Sequence, residues 1–166
     1  MSPALEFVVS AVVIGVGATA VLDLWGLFLL RAFRIEPPYY AMVGRWLGHM
    51  PRGRFAHRSI GAAEPVWGEA ALGWAFHYVV GIVFAAGLLA IVGLEWAHRP
   101  TPLPALAVGV LTVVAPFLLM QPAMGFGIAA AHASNPAKAR VRSLATHFAF
   151  GVGLYLAALA NAALIP

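Results

Sequence analysis

The sequence predicts an all-α integral membrane protein, a four-transmembrane-helix bundle with a short amphipathic interfacial helix in the first loop. Three observations carry that prediction. Residues 7–30, 70–94, 103–131 and 144–165 are apolar runs, and each reaches the roughly 20 residues that a helix needs to cross a hydrocarbon core of about 30 Å. Hydrophobic residues make up 62% of the chain and charged ones 10%, against roughly 45–50% and about 25% in soluble domains. The basic residues are also segregated: Arg31, Arg34, Arg45, Arg52, Arg54 and Arg58 precede the second run, Lys138, Arg140 and Arg142 precede the fourth, and Arg99 stands alone between the second and third.

With four spans, the first and third loops share a side, and the positive-inside rule makes that side cytoplasmic. The chain is therefore expected to be a multi-pass membrane protein with both termini on the side opposite the cytoplasm. The runs leave no room for a separate soluble domain, so residues 1–166 are read as a single transmembrane domain with a cytoplasmic loop over residues 31–69. Glu6 and the lack of Lys or Arg before the first run argue that this span is retained rather than cleaved as a signal.

Within the first loop, Tyr39, Tyr40, Val43, Trp46, Leu47 and Met50 recur at helical spacing while Arg45 and His49 point elsewhere. That pattern predicts the interfacial helix. The following Pro51-Arg52-Gly53-Arg54-Phe55-Ala56-His57-Arg58 breaks it. This segment is either a basic loop against acidic lipid heads or the mouth of a pocket, with His49, Arg54, His57 and Arg58 facing an anionic group. Pro65 is expected to start the second span. Residues 95–102 form an outer hairpin in which Trp96 is an interfacial anchor. The third span carries Pro116, Pro122, Gly125 and Gly127, so it should kink or unwind between Pro116 and Gly127. Asn135-Pro136 reads as an N-cap followed by proline at the first helical position.

Four polar residues interrupt the runs. From the cytoplasmic ends, Asp23, His77, Gln121 and His147 lie roughly 12, 12, 16 and 8 Å deep at the helical rise, close enough in depth to form one layer. Gly15, Thr19 and Asp23 share an i, i+4, i+8 stripe, as do Gly73, His77 and Gly81, and Ser143, His147 and Gly151, with Tyr155 one step on. Small residues on a stripe let membrane helices approach closely, which turns these faces into the bundle. His77-Tyr78-Val79-Val80-Gly81-Ile82 also matches His147-Phe148-Ala149-Phe150-Gly151-Val152 as His-aromatic-x-x-Gly-aliphatic, consistent with a duplicated two-helix unit.

A carboxylate in lipid needs a partner, and imidazole can hold a proton or a metal while its other nitrogen is oriented by a neighbour. Asp23, His77, Gln121 and His147, with Thr19 and Tyr155 beside them, are thus candidate ligand-binding or proton-handling residues. Asp23, His77 and His147 could instead hold a transition metal, or His77 and His147 could clasp a haem. The plainer reading makes each histidine and Gln121 interhelical glue, and the protein a structural or assembly partner of another membrane protein. The expected partners are membrane lipids and a small or lipid-like ligand, with a homo-oligomer open.

Conventional chemistries are absent from the pattern. There is no cysteine, hence no disulfide or thiolate site. Scattered basic residues without a continuous face argue against nucleic acid. Gly15-Val16-Gly17 lacks the third glycine of a dinucleotide fingerprint, no Gly-rich loop ends in Lys-Ser or Lys-Thr, and neither Ser59 nor Ser143 has a nucleophile-elbow context. No repeated segment suggests a selectivity filter.

Four segments, Thr19-Ala20-Val21-Leu22-Asp23-Leu24-Trp25, Val43-Gly44-Arg45-Trp46-Leu47-Gly48-His49-Met50-Pro51-Arg52-Gly53, Leu72-Gly73-Trp74-Ala75-Phe76-His77-Tyr78 and Ala115-Pro116-Phe117-Leu118-Leu119-Met120-Gln121-Pro122, together resemble an uncharacterised bacterial family of small integral membrane proteins, a domain of unknown function. The resemblance covers nearly the whole chain. It implies a bacterial inner-membrane setting and carries no activity or ligand set.

Overall fold

The computed structural model describes residues 1–164; Ile165, the last residue of the fourth predicted span, lies outside them. The described chain is helical, with no strand among the described residues. Its helices are α1 (Pro3–Phe33), α2 (Tyr40–His49), α3 (Glu69–Val92), α4 (Glu95–His98), α5 (Pro102–Leu111), α6 (Gln121–Ala123) and α7 (Pro136–Leu164). Four stretches, Pro3–Phe33, Glu69–Val92, Pro102–Ala123 and Pro136–Leu164, are long and apolar enough to cross a membrane.

Local chemistry sets the ends. The Ser2 side chain accepts from the Leu5 amide at the start of α1, with Pro3 following, and Arg34 closes the helix in the left-handed conformation. The Asn135 side chain accepts from the Lys138 amide at 3.0 Å, so α7 begins at Pro136, eight residues before the predicted apolar run. An N-cap followed by proline makes that start independent of hydropathy. The second long helix starts at Glu69 rather than at Pro65, because the Glu69 carboxylate accepts from the Val66 amide at 2.9 Å and caps its own helix. The third stretch widens into a π-turn over Pro116–Met120 and stops after Ala123, where Gly125 and Gly127 take positive φ. Proline removes donors that the ladder needs, and the glycines supply the turn.

The chain divides into two compact units. The first comprises Met1–Pro37, Tyr78–Thr112 and the chain from Ala145 onward, so it holds most of α1, α3, α5 and α7 as a four-helix bundle. Its core is built of small and branched residues, among them Ile14, Ala18, Leu88, Leu89, Leu154 and Ala158. Val8, Val12, Val16 and Leu24 line the opposite, exposed side of α1. An apolar outer surface over a small-residue interior is the arrangement expected of helices that associate in lipid.

Backbones meet at glycines. A Cβ on Gly15 would lie 2.7 Å from the Ile82 amide nitrogen, and one on Gly109 would lie 2.6 Å from that of Gly151. Trp96 departs from its expected role as an interfacial anchor. Its side chain is only 7% exposed and joins the core, because the indole N–H finds a local acceptor in the Thr101 carbonyl at 3.3 Å.

The second unit comprises Pro38–His77 and Val113–Leu144. Val43, Ile60 and Met124 are its buried centre, with Met42, Trp46, Leu47, Phe76 and Met120 packed against them. Gly44 and Gly73 bring α2 against the first turn of α3. The expected orientation of α2 is corrected here. Arg45 and His49 turn inward rather than away, since each finds partners: Arg45 meets Glu69, and His49 meets the Glu64 carbonyl. Satisfied polar groups can be buried where unsatisfied ones cannot.

Candidate functional site

In the first unit, Asp23 sits on α1 and accepts the Tyr78 hydroxyl at 2.8 Å. Both residues are half-buried and lie on helices long and apolar enough to cross a membrane, so the phenol answers a carboxylate that an apolar medium would not solvate. Thr19, one turn before Asp23, is buried and donates its hydroxyl to the Gly15 carbonyl at 2.8 Å. Its hydroxyl hydrogen therefore serves its own helix.

His147 on α7 meets Thr112 just beyond α5, with Nδ1 and Oγ1 2.9 Å apart. The Thr112 hydroxyl also contacts the Gly109 carbonyl at 2.5 Å. A carbonyl only accepts, so the hydroxyl hydrogen goes to Gly109 and its oxygen accepts from His147 Nδ1–H. This assigns the lone pair of His147 to Nε2. Tyr155 is partly buried against the core of the same unit.

Neighbouring contacts set the relative depth of Asp23 and His147. Gly17 approaches Ala157, and Gly153 approaches Ala18 and Val21. That antiparallel register puts Asp23 level with about residue 150 of α7, so His147 lies roughly one turn, about 5 Å, further along the axis. The bundle thus carries a carboxylate and an oriented imidazole at nearly the same depth. At another place in this unit, His98 Nε2 and Glu6 Oε1 are 2.7 Å apart, and Asn161 donates to Ser10 at 3.4 Å.

The second unit holds His77 and Gln121. His77 stacks on Tyr40, with ring centroids 4.2 Å apart, and meets Trp74 edge-on at 5.8 Å. Gln121 has its Oε1 buried without a hydrogen-bond partner. The glycines of the two His-aromatic-x-x-Gly segments do the same work, since Gly81 packs against Gly15 and Thr19, and Gly151 against Ala105 and Gly109. The histidines of those segments have different surroundings: aromatic rings for His77 and a threonine for His147.

His49 and His57 also come together in this unit, ring centroids 5.0 Å apart and edge to face. His49 is 1% exposed, so it belongs to the interior and not to a rim. Arg54 and Arg58 are exposed. His57 is half-buried, and its backbone N–H bonds the Ala123 carbonyl at 2.8 Å. Burial holds the His57 imidazole below its ordinary pKa, and the nearby His49 and Arg54 charges push the same way.

Sequence reasoning missed the Arg45–Glu69 pair. Arg45 Nε and Nη2 grip the two carboxylate oxygens at 2.8 and 2.7 Å, and Nη1 reaches the Ala63 carbonyl at 3.1 Å. The carboxylate raises the Arg45 pKa further above its already high value. The spacing of 24 residues gave no local signal. Tyr78 and Thr112 were missed for the same reason, because each meets its partner only across a helix interface. Among the described residues, no group of three or more His, Asp or Glu side chains is arranged to hold a metal ion.

The chain belongs to a family of proteins of unknown function, DUF2938, which matches residues 12–161. No curated protein and no solved structure matches it.

Proposed function

We propose that this protein lies in the bacterial inner membrane, with both termini periplasmic, and binds or handles a small or lipid-like ligand through Asp23 and His147. The observation that carries the reading is the carboxylate of Asp23, held by Tyr78 at 2.8 Å between helices otherwise apolar enough to cross a membrane. An intramembrane ionisable residue is costly, and function is the usual compensation. His147 adds an imidazole whose Nδ1 is occupied by Thr112 and whose Nε2 keeps its lone pair. Two acceptors at nearly one depth, in apolar surroundings, suit a ligand with an alkyl body and a donor-bearing head, such as a hydroxyl or an amine. The orientation follows from the nine basic residues at the ends facing the first and third loops, against Arg99 alone at the other side.

The test is the ligand content of protein purified in a mild detergent, read by native mass spectrometry and by organic extraction. The wild type retains a bound species at a fixed ratio, and Asp23→Asn and His147→Gln each lose at least tenfold of it. Equal content in all three proteins overturns the proposal. Single cysteines, introduced into a chain that has none, report the orientation. A cysteine at Arg52 is labelled by an impermeant maleimide only after the membrane is opened, and one at Arg99 is labelled in intact spheroplasts.

A further inference from the structure

We infer that His49 and His57 form a binding site for a soft monovalent metal ion, Cu(I), with a methionine thioether as a further donor. The site lies in the second unit and does not rest on the ligand proposed for Asp23 and His147.

The His49 ring is 1% exposed, and its Nε2 lies 2.9 Å from the Glu64 carbonyl. A carbonyl can only accept, so Nε2 carries the hydrogen and Nδ1 the lone pair. That Nδ1 is buried and has no hydrogen-bond partner. A histidine whose one N–H is tied to a backbone carbonyl while the other nitrogen stays open is the arrangement found at metal ligands, where the outer hydrogen bond fixes tautomer and ring direction. His57 supplies a second imidazole, both of whose ring nitrogens are buried and make no hydrogen bond of good geometry, with the Ala123 carbonyl nearby as the competing acceptor. Of the six buried side-chain polar atoms without a hydrogen-bond partner among the described residues, three are ring nitrogens of these two touching histidines, a concentration that points to a ligand because buried polar groups are normally paired.

The ring separation fits a shared ion. With metal–nitrogen bonds of about 2.0 Å, an ion joining two imidazoles in a straight line would place the ring centroids about 6 Å apart. The observed 5.0 Å, edge to face, is shorter, so an ion shared by the two rings needs a bent bridge and a turn of the half-buried His57 ring, and a bent bridge leaves a place for a third ligand.

The remaining donors select the metal. The chain has no cysteine, and four of its five methionines, Met42, Met50, Met120 and Met124, belong to this unit. Met124 is buried in its core with Met42 and Met120 packed around it. The chain segment bearing His57 is tied to this place, because His57 and Ile60 donate their amides to the Ala123 and Met124 carbonyls. Thioethers are soft ligands that favour Cu(I), whereas zinc takes four nitrogen, sulfur or oxygen donors, and calcium and magnesium need oxygen cages. No third His, Asp or Glu joins the pair among the described residues. A single positive charge is also less costly to desolvate than two.

The test is anaerobic titration of the full-length protein in detergent micelles with Cu(I), in competition with bicinchoninate. One Cu(I) per chain is expected to be withdrawn from the chelator. His57→Gln and His49→Gln each weaken that binding at least tenfold, Met124→Leu weakens it severalfold, and His132→Gln leaves it unchanged. His57 is only half-buried, so its variant is informative even where the His49 variant does not fold. X-ray absorption of the loaded wild type gives an independent readout, with imidazole nitrogen and sulfur scatterers expected around copper. No withdrawal of Cu(I), undiminished binding in His57→Gln, a copper shell without imidazole, or tighter binding of zinc than of Cu(I) each overturns the assignment.

Discussion

Tyr78 donates its hydroxyl to Asp23 at 2.8 Å, so the costliest side chain of α1 is answered by a phenol from α3. Interhelical hydrogen bonds in membranes are worth about 0.6 kcal/mol on average and up to about 1.7 kcal/mol, and hydrogen bonds to charged groups lie above the average of neutral ones. Tyr78→Phe should therefore lower stability by about 1–2 kcal/mol. In a double-mutant cycle with Asp23→Ala, which removes the acceptor, read by reversible unfolding in mixed micelles, a coupling energy of about 1 kcal/mol is expected. Strict additivity would show that the contact carries no energy.

The Arg45–Glu69 pair makes a different prediction. Its side chains are 12% and 15% exposed, so the loss on removing one partner falls at the low end for buried pairs, about 3 kcal/mol for Arg45→Met. Arg45→Lys keeps the charge but loses the two-pronged grip and the carbonyl contact, and should cost about half as much. A lysine variant as stable as wild type by thermal unfolding would mean that charge alone, without the fork, holds α2 to α3.

His57 makes stability depend on pH. Its folded-state pKa lies below the ordinary imidazole value, through burial first and then repulsion from His49 and Arg54. The unfolded chain therefore binds the proton more readily, and the contribution is intact above about pH 6.5 and lost as pH falls below it. In protein prepared with a chelator, the melting temperature should decline from that pH downward. His57→Gln should flatten the decline; an unchanged profile would assign the acid sensitivity to other groups.

Two glycines separate close packing from helix propensity. A side chain at Gly15 would meet the backbone of Ile82 and Gly81, whereas Gly87 has open space around it. Gly15→Ala should force α1 and α3 apart at a cost of about 1–3 kcal/mol, and Gly87→Ala should be neutral or stabilising by up to about 1 kcal/mol. Melting temperatures of the two variants in one detergent make the comparison; a shared direction would contradict the packing.

The candidate site was legible in part. Asp23 stood out because a carboxylate in an apolar run is anomalous in one dimension, and the glycine stripes marked the faces that meet. The aromatic surroundings of His77 and the threonine at His147 were not legible, because either histidine has the same spacing to its glycine. Arg45 and His49 were misread as outward-facing because periodicity counts charge as exposed, and it cannot register that Glu69 and the Glu64 carbonyl make burial tolerable.

Four helices long and apolar enough to cross a membrane, the helical class, the break after Pro116 and the start at Pro136 depend on hydropathy, proline geometry and capping, all of which act between residues near in sequence. They could be read along the chain. The pairing of Tyr78 with Asp23, of Thr112 with His147, of Arg45 with Glu69 and of His49 with His57 depends on helix register, approach and chain reversal. A glycine contact that shifts by one residue turns a side chain about 100° around its helix, so these partners exist only once the helices have packed.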